Sequence, residues 1–422
     1  MDNLNNTRNP SKPGGRNVVL ATVLPMALGV FLLGSQAHAK YGGGAGTQNS
    51  PYLISAAEQL NEIGASPGDW SRHFKLAVDI DMNDLGEAAF RIIGNSDTSF
   101  TGVFDGDDHE ILNFNLTTTQ QFNTGLFGSV DGEVRNLGLV KPTVVAQGSS
   151  VGALVGRLNH GNVVSCYARR ANVSGNDDVG GLVGYNTGRM FKCFSSGTVS
   201  GNKNVGGLVG IVTDGSVNTS FSKAEVSGST DVGGLVGKTA NEHAAVRNSY
   251  ATGSVTGQTY VGGLVGQIER GAAERCFSAG SVTGNQYAGG LTGRVRVLGM
   301  IMHCFWDTEA SGQPTSGGGT GKTTAEMKTI GTYSAVNWDF FQMWTICDGL
   351  NYPVLLWQIQ VTDYLCPDGV DFIDFAYFAA RWHRQGCSPG NGNCEGADVD
   401  GSGTVDFLDF EIFAKRWMLG LP

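Results

Sequence analysis

Charge is scarce in this chain. Asp, Glu, Lys and Arg make up 16% of its 422 residues, below the usual quarter of a soluble domain. Basic residues are fewer than acidic ones, 28 against 38, which disfavours nucleic acid and anionic lipid as partners. Beyond one N-terminal run, no stretch is long and apolar enough to span a bilayer. His-Glu-x-x-His is absent and the seven histidines are scattered without ligand spacing, so a zinc peptidase would lack its site. A phosphate-binding loop is lacking as well. Gly317 to Thr323 imitates one, but the cradle needs Gly five residues before the Gly321-Lys322 pair, and that position is Ser316. Gly148-Ser149-Ser150-Val151-Gly152 spells a nucleophile elbow, yet it lies in a repeat turn with no long helix after it.

The single apolar run, Val18 to Leu33, follows Arg8, Lys12 and Arg16 and precedes Ala37-His38-Ala39. That is the layout of a secretory signal peptide over residues 1–39, cleaved near Ala39; a retained N-terminal anchor is the alternative. Cleavage leaves 37 acidic against 25 basic residues, a net charge of −12. The expectation is a bacterial protein, secreted or held at the cell surface, with no membrane span after cleavage.

What is abundant is glycine, 64 residues, and much of it is periodic. Val-Gly-Gly-Leu-Val-Gly or a near variant begins at Val151, Val179, Val205, Val232, Val261 and Ala288, at steps of 28, 26, 27, 29 and 27 residues. A weaker copy starts at Thr124. Such a period marks a solenoid whose units bury their apolar faces only against neighbours. Between copies lie short β-branched runs punctuated by Gly, with no helical period. One unit predicts one coil of about three strands in an all-β, right-handed parallel β-helix, with coils stacked about 4.8 Å apart. Cys166, Cys193, Ser220, Ser249, Cys276 and Cys304 recur at steps of 27, 27, 29, 27 and 28 and so form one column. Neighbours in a parallel ladder stand farther apart than the roughly 3.8 Å between the Cβ atoms of a disulfide. Small buried thiols interchangeable with Ser are therefore expected.

Residues 40–95 read as an N-terminal cap. Ser55-Ala56-Ala57-Glu58 has capping-box spacing and opens a helix through Ile63, and Phe74 to Asp81 alternates like a first strand. Residues 96–310 are the β-helix. Residues 311–360, rich in Trp and Phe, are expected to close its apolar end. These features resemble the GLUG-motif proteins over roughly residues 42–358. The resemblance rests on the repeated phrase, on Phe100-Thr101-Gly102-Val103-Phe104-Asp105-Gly106 as entry segment, and on Phe305-Trp306-Asp307-Thr308, Gly319 to Thr324 and Asn351-Tyr352-Pro353-Val354-Leu355 as exit segment. It implies a bacterial surface protein, in a group of mostly unassigned function that includes non-catalytic regions of some large metallopeptidases.

Residues 361–422 change character. Asp398-Val399-Asp400-Gly401-Ser402-Gly403-Thr404-Val405-Asp406-Phe407-Leu408-Asp409 places oxygen side chains at loop positions 1, 3, 5, 9 and 12 and Gly at 6. This is EF-hand logic for calcium, with the carbonyl of Thr404 completing the set. Asp398, Asp400, Ser402, Thr404, Asp406 and Asp409 are thus the expected calcium ligands. A degraded partner loop spans Asp363 to Asp374, with Leu365 and Pro367 where ligands should stand; whether it binds calcium is open. The pair resembles a type I dockerin, a small helical module, which implies a cohesin-type domain or surface scaffold as partner. Phe372-Ile373 and Phe407-Leu408 depart from the Ser/Thr recognition residues of many dockerins. Cys387 and Cys394 bracket the linker and could bridge in an oxidising compartment; Cys366 could pair with Cys347 or stay free.

Each phrase is preceded by a turn residue: Asp178, Asn204, Asp231, Tyr260 and Tyr287, with Asp177 and Lys203 alongside. Asp178 and Asp231, two coils and so roughly 9–10 Å apart, approach the spacing of an inverting carboxylate pair. Tyr260 and Tyr287 could form a platform for a sugar ring of a polysaccharide, or merely stack on each other. The expected function is non-catalytic attachment or assembly of carbohydrate-associated complexes. Its rivals are a polysaccharide lyase or glycoside hydrolase on the same fold and a purely structural surface protein.

Overall fold

The computed structural model describes residues 40–416 except 87–88, 360–362, 364 and 367–369; the expected signal peptide and cleavage point lie outside them. Every coil is held to the next by parallel, in-register strands. The expected three strands per coil become up to five short ones, as in Lys203–Gly206, Val209–Val212, Ser216–Asn218, Phe221–Ser222 and Glu225–Ser227, and merge into longer ones such as Val265–Glu274 in later coils. The extra breaks have a backbone cause. One left-handed corner precedes the Gly-rich phrase, at Ser150, Asp178, Asn204, Asp231, Tyr260 and Tyr287 (φ 53–59°), and another precedes the Cys/Ser column, at Ser165, Lys192, Thr219, Asn248, Arg275 and His303 (φ 46–55°). The second corner separates two strands, as Lys192 does between Arg189–Phe191 and Phe194–Ser200, whereas the first turns the chain within a strand, Asp178 lying inside Asp177–Gly180.

The phrase itself is steric. A Cβ on Gly206 would sit 2.0 Å from the Val209 carbonyl oxygen and 2.6 Å from the Gly237 nitrogen. One on Gly210 would meet the backbone carbon of Asp178 at 2.4 Å. Only glycine lets the corner and the neighbouring coil approach so closely. The Leu and Val of the phrase point inward: Leu154, Leu182, Leu208, Leu235 and Leu264 are fully buried, each contributing about 1.5–3 kcal/mol by leaving water.

The Cys/Ser column is a ladder of hydrogen bonds, and its four cysteines are free and buried. Each side chain donates to the carbonyl two residues before it: Cys193 Sγ to Phe191 at 3.4 Å, Ser220 Oγ to Asn218 at 2.8 Å, Ser249 Oγ to Arg247 at 2.6 Å. The hydroxyls also accept from the previous coil, Cys193 N to Ser220 Oγ at 3.0 Å and Ser220 N to Ser249 Oγ at 3.1 Å. A small donor–acceptor satisfies the corner, which is why Cys and Ser alternate here.

The N-terminal segment does more than cap. Tyr52–Ile54 pairs with His73–Leu76, which pairs with Val103–Asp105, so coils are already present before residue 96. The helix Ala57–Gly64 begins after Ala56, not Ser55, and has no side-chain cap. Gln59, one residue beyond Glu58, reaches back to the Ser55 nitrogen at 2.8 Å.

The C-terminal segment also departs from a simple end plug. Residues 308–322 do finish the last coil: Thr320–Lys322 pairs with Phe305–Asp307, and Gln313 Nε2 donates to the Val282 carbonyl at 3.0 Å. From Thr323 onward the chain instead folds along the flank. There Tyr167, Phe194, Phe221, Tyr250 and Phe277 stack one per coil at 4.7–5.0 Å. Trp338, Trp344 and Trp357 cover this stack. Trp357 Nε1 donates to the Thr219 carbonyl at 3.0 Å and the Tyr250 hydroxyl to Gln358 Oε1 at 3.0 Å. The aromatics are thus a lateral seam. Asp307, fully buried, ties it to the last coil by accepting from Glu309 N, Ala310 N, the Thr324 hydroxyl and the Tyr352 hydroxyl at 2.7–2.9 Å.

Candidate functional site: a flank strip and a carboxylate loop

Two places bring chemistry together. The first is a strip on the solenoid made of the residue just before each Gly-rich phrase and the residue just after it. The preceding residues are the corner residues Ser150, Asp178, Asn204, Asp231, Tyr260 and Tyr287. The following ones, in register, are Arg157, Tyr185, Ile211, Lys238, Gln267 and Arg294. The two columns touch. The Arg157 guanidinium lies 4.2 Å from the Tyr185 ring. Arg294 Nη1 donates to the Tyr260 hydroxyl at 2.7 Å and lies 5.2 and 5.8 Å from the Tyr260 and Tyr287 rings. Those rings are themselves 5.1 Å apart. Glu269 binds Lys238 at 2.5 Å and Arg296 at 2.9 Å.

The two carboxylates of the strip share one environment. Burial pushes the pKa of both Asp178 and Asp231 upward. Asn204 Nδ2 donates to Asp178 Oδ1 at 2.7 Å, while Asp231 Oδ1 is buried without a hydrogen-bond partner. A general acid and a general base need environments that separate their proton affinities. Here desolvation moves both the same way. Their polarity also has a backbone explanation, since Asn and Asp adopt the left-handed corner most readily.

The second place is the tail. Asp398, Asp400 and Asp409 bring carboxylate oxygens within 4.8 Å of one another, with Asp398 and Asp409 buried. Backbone amides hold them: Val399 N and Asp400 N donate to Asp409 Oδ1 at 2.6 and 3.0 Å, and Ser402 N and Gly403 N to Asp398 at 3.0 Å. Backbone donation from Ser402 lowers the pKa of Asp400. Among the described residues no Lys, Arg or His pairs with any of the three. Three close carboxylates with hard oxygens and no balancing cation are the donor set a calcium ion prefers. Ser402 and Thr404 stand beside them, the Ser402 hydroxyl 3.2 Å from the Thr404 carbonyl oxygen. Asp406 faces the helix Phe407–Arg416, accepting from Leu408 N at 2.9 Å.

The partner loop repeats this scaffold with Leu365 and Pro367 where the second and third donors would stand. Leu365 N and Asp371 N donate to Asp374 at 3.2 and 3.0 Å, and Asp371 and Asp374 cap the helix Phe372–Ala379. Cys347 is bonded to Cys366 of that loop, and Cys387 to Cys394. Phe378, Phe413, Val370 and Val405 form the small core between the two helices. Gly317 to Thr323, the phosphate-loop imitation, ends in a strand and a capping box between Thr323 and Glu326.

Arg294, Lys238 and Glu269 were not singled out by sequence, although Arg294 and Lys238 directly follow the phrase and so recur with it.

The chain matches the profile described as the GLUG motif at residues 175–200 and 228–256. It is 33% identical to Halomucin of Haloquadratum walsbyi over 150 residues, covering 33% of this chain and 2% of that protein. It is 35% identical over 127 residues to a protein of Evansella cellulosilytica provisionally described as a Gly-rich membrane protein, covering 29% of this chain and 14% of the other. The chain thus spans a small part of both relatives' lengths. A crystal structure from Bacteroides ovatus, provisionally described as an immunoglobulin A1 protease, superposes with a TM-score of 0.50 at 23% identity, over 76% of this chain and 96% of that one. That likeness concerns the fold alone. The chain carries GLUG-motif repeats on a parallel β-solenoid, and among the described residues no helix is long and apolar enough to cross a membrane.

Proposed function

We propose that this is a secreted, non-catalytic attachment protein: the solenoid presents a carbohydrate-facing flank, and a calcium-organised, dockerin-like tail docks it to a cohesin-type domain or surface scaffold. The observation that carries the reading is the convergence of Asp398, Asp400 and Asp409 at the start of the helix Phe407–Arg416. Bound calcium would supply the positive charge that these clustered carboxylates lack. Asp398, Asp400 and Asp409 would hold it, with Ser402, Thr404 and Asp406 as further oxygen donors. The ion would then tie the loop to the helix.

Docking is supported by the duplication. Phe372-Ile373 and Phe407-Leu408 begin the two helices at equivalent places and are 57–73% exposed, a large apolar exposure for such a small module. A non-catalytic role is supported by the strip, where Asp178 and Asp231 are shifted alike. The test is a pull-down of the purified protein on immobilised cohesin domains, with calcium or with EDTA. Retention in calcium that EDTA abolishes is expected. No calcium-dependent retention across a representative cohesin panel would remove cohesin as the partner.

A further inference from the structure

The corner before the Gly-rich phrase is left-handed in every coil, and four coils fill it with Ser, Asp or Asn. The last two place tyrosine there, Tyr260 at φ 57° and Tyr287 at φ 54°. A bulky side chain in this conformation costs of order 1 kcal/mol or more, and such outliers concentrate at functional sites. Burial does not compensate at Tyr287, which is 59% exposed. Arg294 lies beside both rings, its guanidinium held by the Tyr260 hydroxyl and by the two ring faces. Its neighbours Lys238 and Arg296 are both paired with Glu269. Among the described residues no carboxylate pairs with Arg294. An oriented, uncompensated guanidinium presents a fork that matches carboxylate or sulfate oxygens, and an exposed tyrosine face beside it suits a sugar ring.

We infer that Tyr260, Tyr287 and Arg294 form a subsite for an acidic sugar of a polysaccharide, with Arg294 binding the carboxylate or sulfate group and Tyr287 stacking on the ring. This rests on the attachment reading and gives its solenoid a ligand class. Neutral polysaccharides lack the anion that Arg294 awaits.

The experiment is affinity electrophoresis of the full chain in gels containing polygalacturonate, dextran sulfate or unmodified dextran. Retardation by one or both acidic polymers and not by dextran is expected, and which polymer retards identifies the anion. Y287N should weaken binding roughly tenfold or more while leaving the melting temperature equal or higher, because Asn suits the corner. R294A should do the same, and R294K should recover only part, losing the fork. R189A, an exposed arginine elsewhere on the solenoid, should bind like the unmodified protein. Equal retardation by dextran, no retardation by any polymer, or unchanged affinity in Y287N would overturn the inference. The cohesin pull-down reads the tail alone, so the attachment reading can survive that failure.

Discussion

At the residue scale, the corner positions explain both a structural rule and its exceptions. Asp231 is a carboxylate at a site where Asn204, one coil away, is equally at home, and burial raises its pKa. A group with a raised folded-state pKa is tolerated while protonated, and its contribution is lost as pH rises through that pKa. D231N should therefore raise the melting temperature at pH 7 and leave it unchanged near pH 3; a catalytic Asp231 would also lose activity on any substrate. The thiol column gives a second test. Burial pushes the Cys193 thiol up to about 12, whereas an unfolded cysteine ionises near 8.5. Its contribution is complete below pH 8.5 and falls between the two values, at about 1.4 kcal/mol per pH unit. Urea midpoints should fall more steeply from pH 8.5 to 10.5 in the parent protein than in C193S. Maleimide should label this thiol only after denaturation.

At the element scale, most strands are short because the left-handed corner before the Cys/Ser column and the close-packed glycines of the phrase break the coil. The 27-residue period was legible in the sequence, since the same phrase must meet the same backbone at every level. The five-strand division was not, because no composition rule reveals that Lys192, Arg275 or His303 occupies a left-handed corner. The Tyr167–Phe277 column was visible as an aromatic at each unit, yet its role as an outer seam was hidden, because what covers it lies 60 to 190 residues away in sequence. F221A should cost about 3–5 kcal/mol, removing two stacking partners and a contact of Trp357. Its tryptophan emission should move to longer wavelength as the flank segment loosens. G206A should destabilise by about 2–3 kcal/mol, because the added carbon meets backbone and not a movable side chain.

At the scale of the whole molecule, a stack of coils offers a flank and the tail a small module with a clustered carboxylate loop. The tail's donor spacing was readable because a twelve-residue loop carries its chemistry locally. The strip was only half readable: Tyr260 and Tyr287 stood out, while Arg294 gained meaning once the fold set it beside both rings. The covalent link from Cys347 to Cys366 joins the flank segment to the first tail loop, so one loop is anchored by a disulfide where its duplicate offers carboxylates. The measurement that bears most directly on the attachment role is a calorimetric calcium titration of the full chain against D398N and D409N. A single strong site, lost in both variants and accompanied by a rise in melting temperature, is the predicted result. No binding heat and no thermal shift in the unmodified protein would contradict it.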